Sequence, residues 1–458
     1  MISRSPGVHS ANETRGALLD TPMPCQRPLK RLLIVAPHFP PVNAPDMQRV
    51  RMSLPHYRSF GWDPIVLTVD AARQPEPADA LLSKTVPSDI PVIRTGALPL
   101  ALTGLFGIGN VAIRAYGHLL AAGLRIIREA QIDLVFFSTT MFLCMPLGRM
   151  WQRQTKTPFV LDLQDPWASD YEPRGGAASR KYNLARRVHA RLEPWTMKHA
   201  SGIVAVSPAY IETIRRRYPW IAEDACATIP FGVALEDFAA AARVQPAIRR
   251  EPVRVTGVYV GAGGPAMATS LRILFVAVAK LRAIDSALAK NLRLAFIGTD
   301  YAPAGQGRKT VETIAAEAGV GAQVTEQTDR VAYFVALQTL RAADFVLLIG
   351  SDDGQYTASK AAPCLASKRP IVAILHADSP GVPLLAQSKH TTLVTFRSAA
   401  DIDRASEILA AAFPHVAALA GRELDDDMAL LEPYTAKALT ARQCALFDRV
   451  IERKVRAA

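Results

Sequence analysis

A chain of 458 residues, half of them hydrophobic and 21% charged, is too apolar for a disordered protein and long enough for two domains of ordinary size. Its 53 lysines and arginines against 41 acids leave a net charge of +12. That balance favours anionic partners, whether nucleotide phosphates, nucleic acid or an anionic membrane, without choosing among them. The five cysteines, Cys25, Cys144, Cys226, Cys364 and Cys444, are odd in number, far apart and without a CxxC pair, which argues against a disulfide framework or a zinc site and for reduced thiols in a cytosolic protein.

Residues 1–28 are polar, contain prolines and lack an apolar core of signal-peptide length, so a disordered tail is expected. Arg31 to Ala36, RLLIVA, reads as a first strand. A loop stiffened by four prolines follows, Pro37 to Pro45. A helix is predicted from Asp46, as N-cap, to Phe60, ending at Gly61. Further strands are predicted at Pro64–Val69, Pro91–Arg94, Leu134–Phe137, Phe159–Leu163, Ser201–Ser207 and Ala227–Pro230, with helices at about Asn110–Ala130, Met141–Gln154, Ser179–His199 and Ala209–Tyr218. Gly96 to Ile113 holds 18 residues without a charge. It fits a segment lying on a membrane surface, a buried core helix with its loop, or a short span interrupted by Pro99 and four glycines.

Composition changes at Phe238 to Arg250, FAAAARVQPAIRR, where an interdomain linker is expected. The alternation then restarts, with strands at Thr256–Val260, Leu292–Ile297, Gln323–Thr325, Phe345–Ile349, Ile371–Leu375 and Leu393–Phe396. Helices are predicted at Thr269–Ile284, Gly307–Ala318, Tyr333–Ala343, Ser359–Ser367, Ala400–Phe413 and Ala436–Val455. Strands alternating with helices make an α/β chain of two doubly wound, Rossmann-like halves facing a cleft. The segments assigned are a tail at 1–28, an N-terminal domain at 29–240, a C-terminal domain at 241–425 and a terminal helix at 426–458.

A parallel sheet collects ligands at the carboxyl ends of its strands. One such end carries the loop Ser351 to Lys360, with hydroxyls at Tyr356, Thr357 and Ser359, a helix expected to start at Ser359, and the cation Lys360. Unpaired N–H groups and a cation suit a phosphate; an ordinary turn with a solvated lysine is the plainer alternative. GAGG at 261–264 lets backbone approach a pyrophosphate, yet Ala266 breaks the GxGxxG pattern and no GK[ST] follows, which argues against a nicotinamide enzyme and a P-loop. Asp162 and Asp165, three apart in DLQDPW, can act as base, metal ligand or acceptors of sugar hydroxyls; a divalent ion would want more oxygens. Arg49 follows the proline loop on its helix. His38, His376 and His390 read as ordinary loop residues. No nucleophile elbow or HExxH appears, and the basic stretch Arg180–Lys198 has few of the aromatics that single-strand binders interleave, which argues against nucleic acid.

The order RLLIVAPHFPP…QRVRMSLPHYRSFGWDPIVLT, VLDLQDPW, ASGIVAVSPAYIETI, TIPFGVALEDF, VYVGAGG, LAFIG, TDRVAYFVALQTLRAADFVLL and YTASKAAPCLASKRPIVAIL resembles the family-4-like glycosyltransferases of GT-B fold. The resemblance spans about Arg31 to Leu375 and the returning C-terminal helix, which in that fold packs back on the N-terminal domain. It implies a hexosyltransferase-like enzyme acting in surface polysaccharide or glycolipid assembly. Transfer would run from a nucleotide-sugar to a glycan or lipid-linked acceptor, with retention, without a metal, and with no cofactor beyond the substrate. It further implies donor phosphates at Ser359, Lys360, Gly263 and Gly264, and base and ribose near Arg330, Val331, Tyr333 and Tyr356. The acceptor would lie near Asn43, Arg49, Asp162 and Asp165, with Lys360 and Asp165 catalytic. The setting implied is cytoplasmic, peripheral on the inner face of an anionic membrane. Pro363 stands where the family often has a ribose-binding glutamate. A sugar-nucleotide epimerase of the same fold, or a non-catalytic relative, are the alternatives.

Overall fold

The structure, a computed structural model, describes residues 29–168, 180–300, 302, 304–354, 359–425 and 427–457. The expected tail, Cys25 and Tyr356 lie outside the described residues.

All thirteen apolar runs read as strands are strands. β1 (Lys30–Val35), β2 (Trp62–Val69), β3 (Val92–Thr95), β4 (Leu134–Ser138), β5 (Phe159–Leu163), β6 (Gly202–Ala205) and β7 (Cys226–Thr228) form one sheet in the order β3-β2-β1-β4-β5-β6-β7. A second sheet holds β8 (Val255–Val260), β9 (Leu292–Ile297), β10 (Val324–Gln327), β11 (Phe345–Ile349), β12 (Ile371–His376) and β13 (Thr391–Phe396), in the order β10-β9-β8-β11-β12-β13. Pairing within both sheets is parallel. Crossover helices bury such strands on both faces, so they read as unbroken apolar runs; FVLLI of β11 is buried throughout. In each sheet the order reverses once, between β1 and β4 and between β8 and β11. These reversals are where an α/β sheet opens a crevice for a ligand.

The helices depart further from expectation. The stretch Asp46 to Phe60 is three short pieces: a 3-10 turn Pro45–Met47, an α-helix Gln48–Ser53 and a 3-10 run Leu54–Phe60. Pro55 has no N–H to give the α ladder, so the helix tightens there. Asp46 is not an N-cap, because its carboxylate is buried and bonded elsewhere. The helix expected over Asn110–Ala130 breaks at Ala115 into Val111–Arg114 and Tyr116–Glu129. Before it, Gly96 to Ile113 holds only the short turns Leu100–Thr103 and Gly104–Phe106. Leu98, Leu100, Leu102, Leu105 and Phe106 there are exposed, which removes the buried-helix reading. No helix among the described residues is long and apolar enough to cross a membrane, which removes the span. The last domain helix runs through Pro414, over Ile402–Ala418, because Phe413 and Val416 are both buried in the second sheet's core.

The expected linker begins as a packed helix, Leu235–Ala241. Phe238 is buried with Phe334 and Leu337, and Asp237 receives the Arg51 guanidinium and, at 3.0 Å, the Tyr333 hydroxyl. The terminal helix Ala436–Ala457 returns to the first sheet. Leu446, Phe447 and Val450 pack there with Ile34, Trp62 and Phe136.

Candidate active site

A cavity of about 660 Å³ lies between the two sheets, lined from both, a size that suits a small ligand. From the first sheet come His38 beyond β1, Asn43, Asp46 and Arg49, then Glu76, Thr140 beyond β4, and Gln164 and Asp165 beyond β5. The second sheet contributes Gly261 and Ala262 beyond β8, then Gly298, Arg330, Val331, Tyr333, Ser359, Lys360 and Pro363. Both reversal points thus open on one cavity.

The first wall is built on a buried polar network. Asp162 is fully buried at the end of β5, 2.9 Å from Arg49 Nε, and accepts from Ser138 Oγ at 2.7 Å. Burial pushes its carboxyl above the usual carboxylate value, against the pull of Arg49, Ser138 and Gln164. Arg49 also donates to the carbonyls of Ile229 and Pro230. Gln164 Nε2 joins the Asp46 carbonyl to Ser138 Oγ. Asp46 accepts from Thr139 Oγ1 at 2.7 Å and from the Thr140 N–H, and its other oxygen lies 2.8 Å from His38 Nδ1. Burial would raise the Asp46 carboxyl, yet these bonds hold it below its usual value. Burial would likewise lower the His38 imidazole, and the bond and charge of Asp46, with Glu76 further off, hold it above the ordinary histidine value.

The second wall is built around Lys360. Its Nζ donates to the Tyr259 hydroxyl at 2.9 Å and lies 4.5 Å from the centre of that ring. Tyr259 is buried and donates in turn to the Ala262 carbonyl at 2.6 Å. Gly261 has φ +137°, and a Cβ there would collide with Lys360 Nζ. Only glycine keeps both the backbone and the lysine in place. Cys364 also lines the cavity, and burial pushes its thiol up to about 12, so it is no thiolate nucleophile at neutral pH.

Residues 48–232 match the model of the glycosyl transferase 4-like domain. The two-sheet fold around that domain is of the GT-B type. Solved structures show the same two-sheet architecture at low identity. A sucrose-phosphate synthase from Thermosynechococcus elongatus is 14% identical with a TM-score of 0.52, over 93% of this chain and 98% of that one. A trehalose-phosphate synthase from Burkholderia xenovorans, in complex with glucose 6-phosphate, is 12% identical with a TM-score of 0.57, over 92% and 100%. The Anabaena protein HepE, in complex with UDP, is 14% identical with a TM-score of 0.51, over 94% and 99%. No curated protein sequence matches the chain.

Of the residues singled out in the sequence, the cavity gathers Asn43, Arg49, Asp165, Arg330, Val331, Tyr333, Ser359 and Lys360. Asp162 stands behind the wall, so it shapes the site through Arg49 and does not face a ligand. Gly263 and Gly264 are not in the lining; the Gly263 N–H is taken by the Thr299 carbonyl at 2.9 Å, and Gly261 and Ala262 face the cavity instead. The helix after the loop Ser351 to Lys360 is Ala361–Ala366, with Lys360 and not Ser359 at its N-cap. Six residues make a weak dipole, so the charge offered to a phosphate is that of Lys360 itself. Tyr333 turns its hydroxyl to Asp237 and lies against Arg51, and burial pushes its phenol up. Asp165 stands exposed at the rim; the surrounding protein and then the Asp46 charge raise its carboxyl. Sequence reasoning missed His38, Asp46 and Glu76 as cavity residues, and within the GAGG motif it favoured Gly263 and Gly264 over Gly261. Their signal was position: His38 and Gly261 follow the two strands at which the sheets reverse.

Proposed function

We propose that the protein transfers a sugar from a nucleotide-sugar held on the second sheet's wall to a hydroxyl of a glycan or lipid-linked acceptor held on the first, in surface polysaccharide or glycolipid assembly. The observation that carries this reading is Lys360, fixed by Tyr259 over Gly261 at the reversal point of the second sheet. When the bond from the anomeric carbon to the diphosphate breaks, negative charge grows on the leaving phosphate. A held cation stabilises that charge without reorganising, and Arg330 lines the same wall. Retention and metal independence follow from the resemblance and belong to the same reading. An epimerase would need an acid or base at the sugar, and the cavity's carboxylates, Asp46, Glu76 and Asp165, all stand on the other wall. The exposed Leu105 and Phe106 suit a protein docked at the inner face of a membrane, where a lipid-linked acceptor would reside.

The test is a thermal-shift panel of UDP, GDP, ADP and dTDP, followed by turnover with the matching nucleotide-sugars. One nucleotide should raise the melting temperature, since saturation at ~100 Kd stabilises by about 2.7 kcal/mol. Lys360→Ala should then lower transfer by roughly 10²-fold or more, the usual loss for one donor to a developing oxyanion, while leaving the unliganded melting temperature near the wild-type value. A silent panel would leave only a decayed cleft, with Pro363 in the donor wall as its first suspect.

A further inference from the structure

His38 is 5% exposed and Asp46 4%, and both line the cavity. The Asp46 carboxylate is fixed by Thr139 and Thr140, so the His38 Nδ1–H donates to it and Nε2 is left for other work. Nε2 is buried and has no hydrogen-bond partner among the described residues. Glu76 Oε1 is the acid it faces, at 3.7 Å, and Glu76 Oε2 is buried and unpartnered too. Two polar groups facing each other just beyond bonding reach call for a third between them. An oxygen about 2.8 Å from each would sit beside the line joining them.

We infer that His38 Nε2 and the Glu76 carboxylate form the seat for a hydroxyl of an uncharged sugar acceptor, with Asp46 as the positioning residue that holds the ring. A hydroxyl suits this pair because it donates to the carboxylate while accepting from, or donating to, the imidazole. A phosphate does not suit it. Asp46, Glu76 and Asp165 would all oppose a second anion here, and Arg49, the cation of this wall, is already engaged by Asp162 and two carbonyls. The acceptor class is therefore a neutral saccharide end, unlike the glucose 6-phosphate found in the Burkholderia xenovorans structure. Any charged anchor of a lipid-linked acceptor lies away from this seat. The inference rests on the glycosyl-transfer reading of the cleft and names its second substrate class.

The probes are methyl α-glucoside, methyl α-mannoside, methyl N-acetylglucosaminide and glucose 6-phosphate, read by saturation-transfer NMR on the full chain. At least one methyl glycoside should receive saturation and glucose 6-phosphate none. His38→Asn and Glu76→Ala should each cut the glycoside signal at least fivefold and leave the nucleotide thermal shift unchanged. Asp46→Asn should move the pH midpoint of the glycoside signal downward, because the carboxylate that faces the ring beside Glu76, with Asp165 next to it, loses its charge. A purely structural Asp46 would not move that midpoint. Saturation of glucose 6-phosphate, wild-type signals in both seat variants, or no glycoside signal while a nucleotide still binds would overturn the seat. Absence of nucleotide binding in the wild-type chain would instead overturn the glycosyl-transfer reading, so the two failures are distinct.

Discussion

His38 and Asp46 make a coupled pair whose ionisation stabilises the fold over a defined range of pH. The imidazole titrates above its unfolded value of about 6.5 because Asp46 and, more weakly, Glu76 favour its cation despite burial. Its contribution is therefore complete below about pH 6.5 and is lost as pH rises through the folded value. Asp46 is depressed, so its share is present above about 3.8 and is lost as acid protonates the folded carboxyl. The melting-temperature gap between wild type and His38→Asn should accordingly be wider at pH 6 than at pH 9. A gap of equal width at both values would mean that the pair is not charged in the fold. Sequence showed Lys360 and Asp165 because a cation or carboxylate beyond a strand end is visible as such. It could not show that Asp162 turns inward while Asp46 and His38 join at the wall, because that choice depends on Thr139, brought from β4 by the sheet.

The strands were legible because parallel pairing buries both faces and writes itself as an apolar run. Helix ends were less so, since packing overrides local preference: Pro55 tightens its segment, whereas Pro414 lies inside a helix that the core holds together. The terminal helix was visible as an element and placed by the resemblance. Its anchor is Phe447, fully buried, 5.0 Å from Phe136, 5.5 Å from Trp62 and 6.5 Å from Tyr57, measured between ring centres. Around it Tyr57 donates to Gln443, and Trp62 donates to Asp448. Phe447→Ala should cost about 3–5 kcal/mol, the usual loss for a buried phenylalanine, seen as earlier unfolding in guanidinium. Phe447→Leu should recover most of it. An unchanged unfolding midpoint in the alanine variant would show that the helix is not anchored there.

Across the whole molecule, the cavity sets Asp46, Glu76 and Asp165 with Arg49 on one wall against Arg330 and Lys360 on the other, so the excess of positive charge lies outside it. Arg186, Arg187 and Arg191 are exposed on the helix Arg180–Met197. That helix meets the rim of the first sheet's wall, where Trp167 donates to His189 at 2.9 Å and stacks on Phe142 at 5.6 Å. The apolar tip meets the same rim, since Asn110 Nδ2 lies 3.8 Å from Met141 Sδ, next to the cavity residue Thr140. Leu105 and Phe106 at this tip are 81% and 82% exposed. An apolar tip and a basic helix that reach the same rim are the combination that binds an anionic lipid surface, with each basic residue worth about 1 kcal/mol near it. The full chain should co-sediment with phosphatidylglycerol vesicles and weakly with phosphatidylcholine. Leu105→Glu with Phe106→Glu should reduce both. Arg186→Glu with Arg187→Glu should reduce only the former, and added salt should mimic that pair because it screens charge and leaves the apolar contact intact. Sedimentation unchanged in both double variants would detach the tip and the basic helix from any membrane, leaving a free glycan as the acceptor to test at the His38 seat.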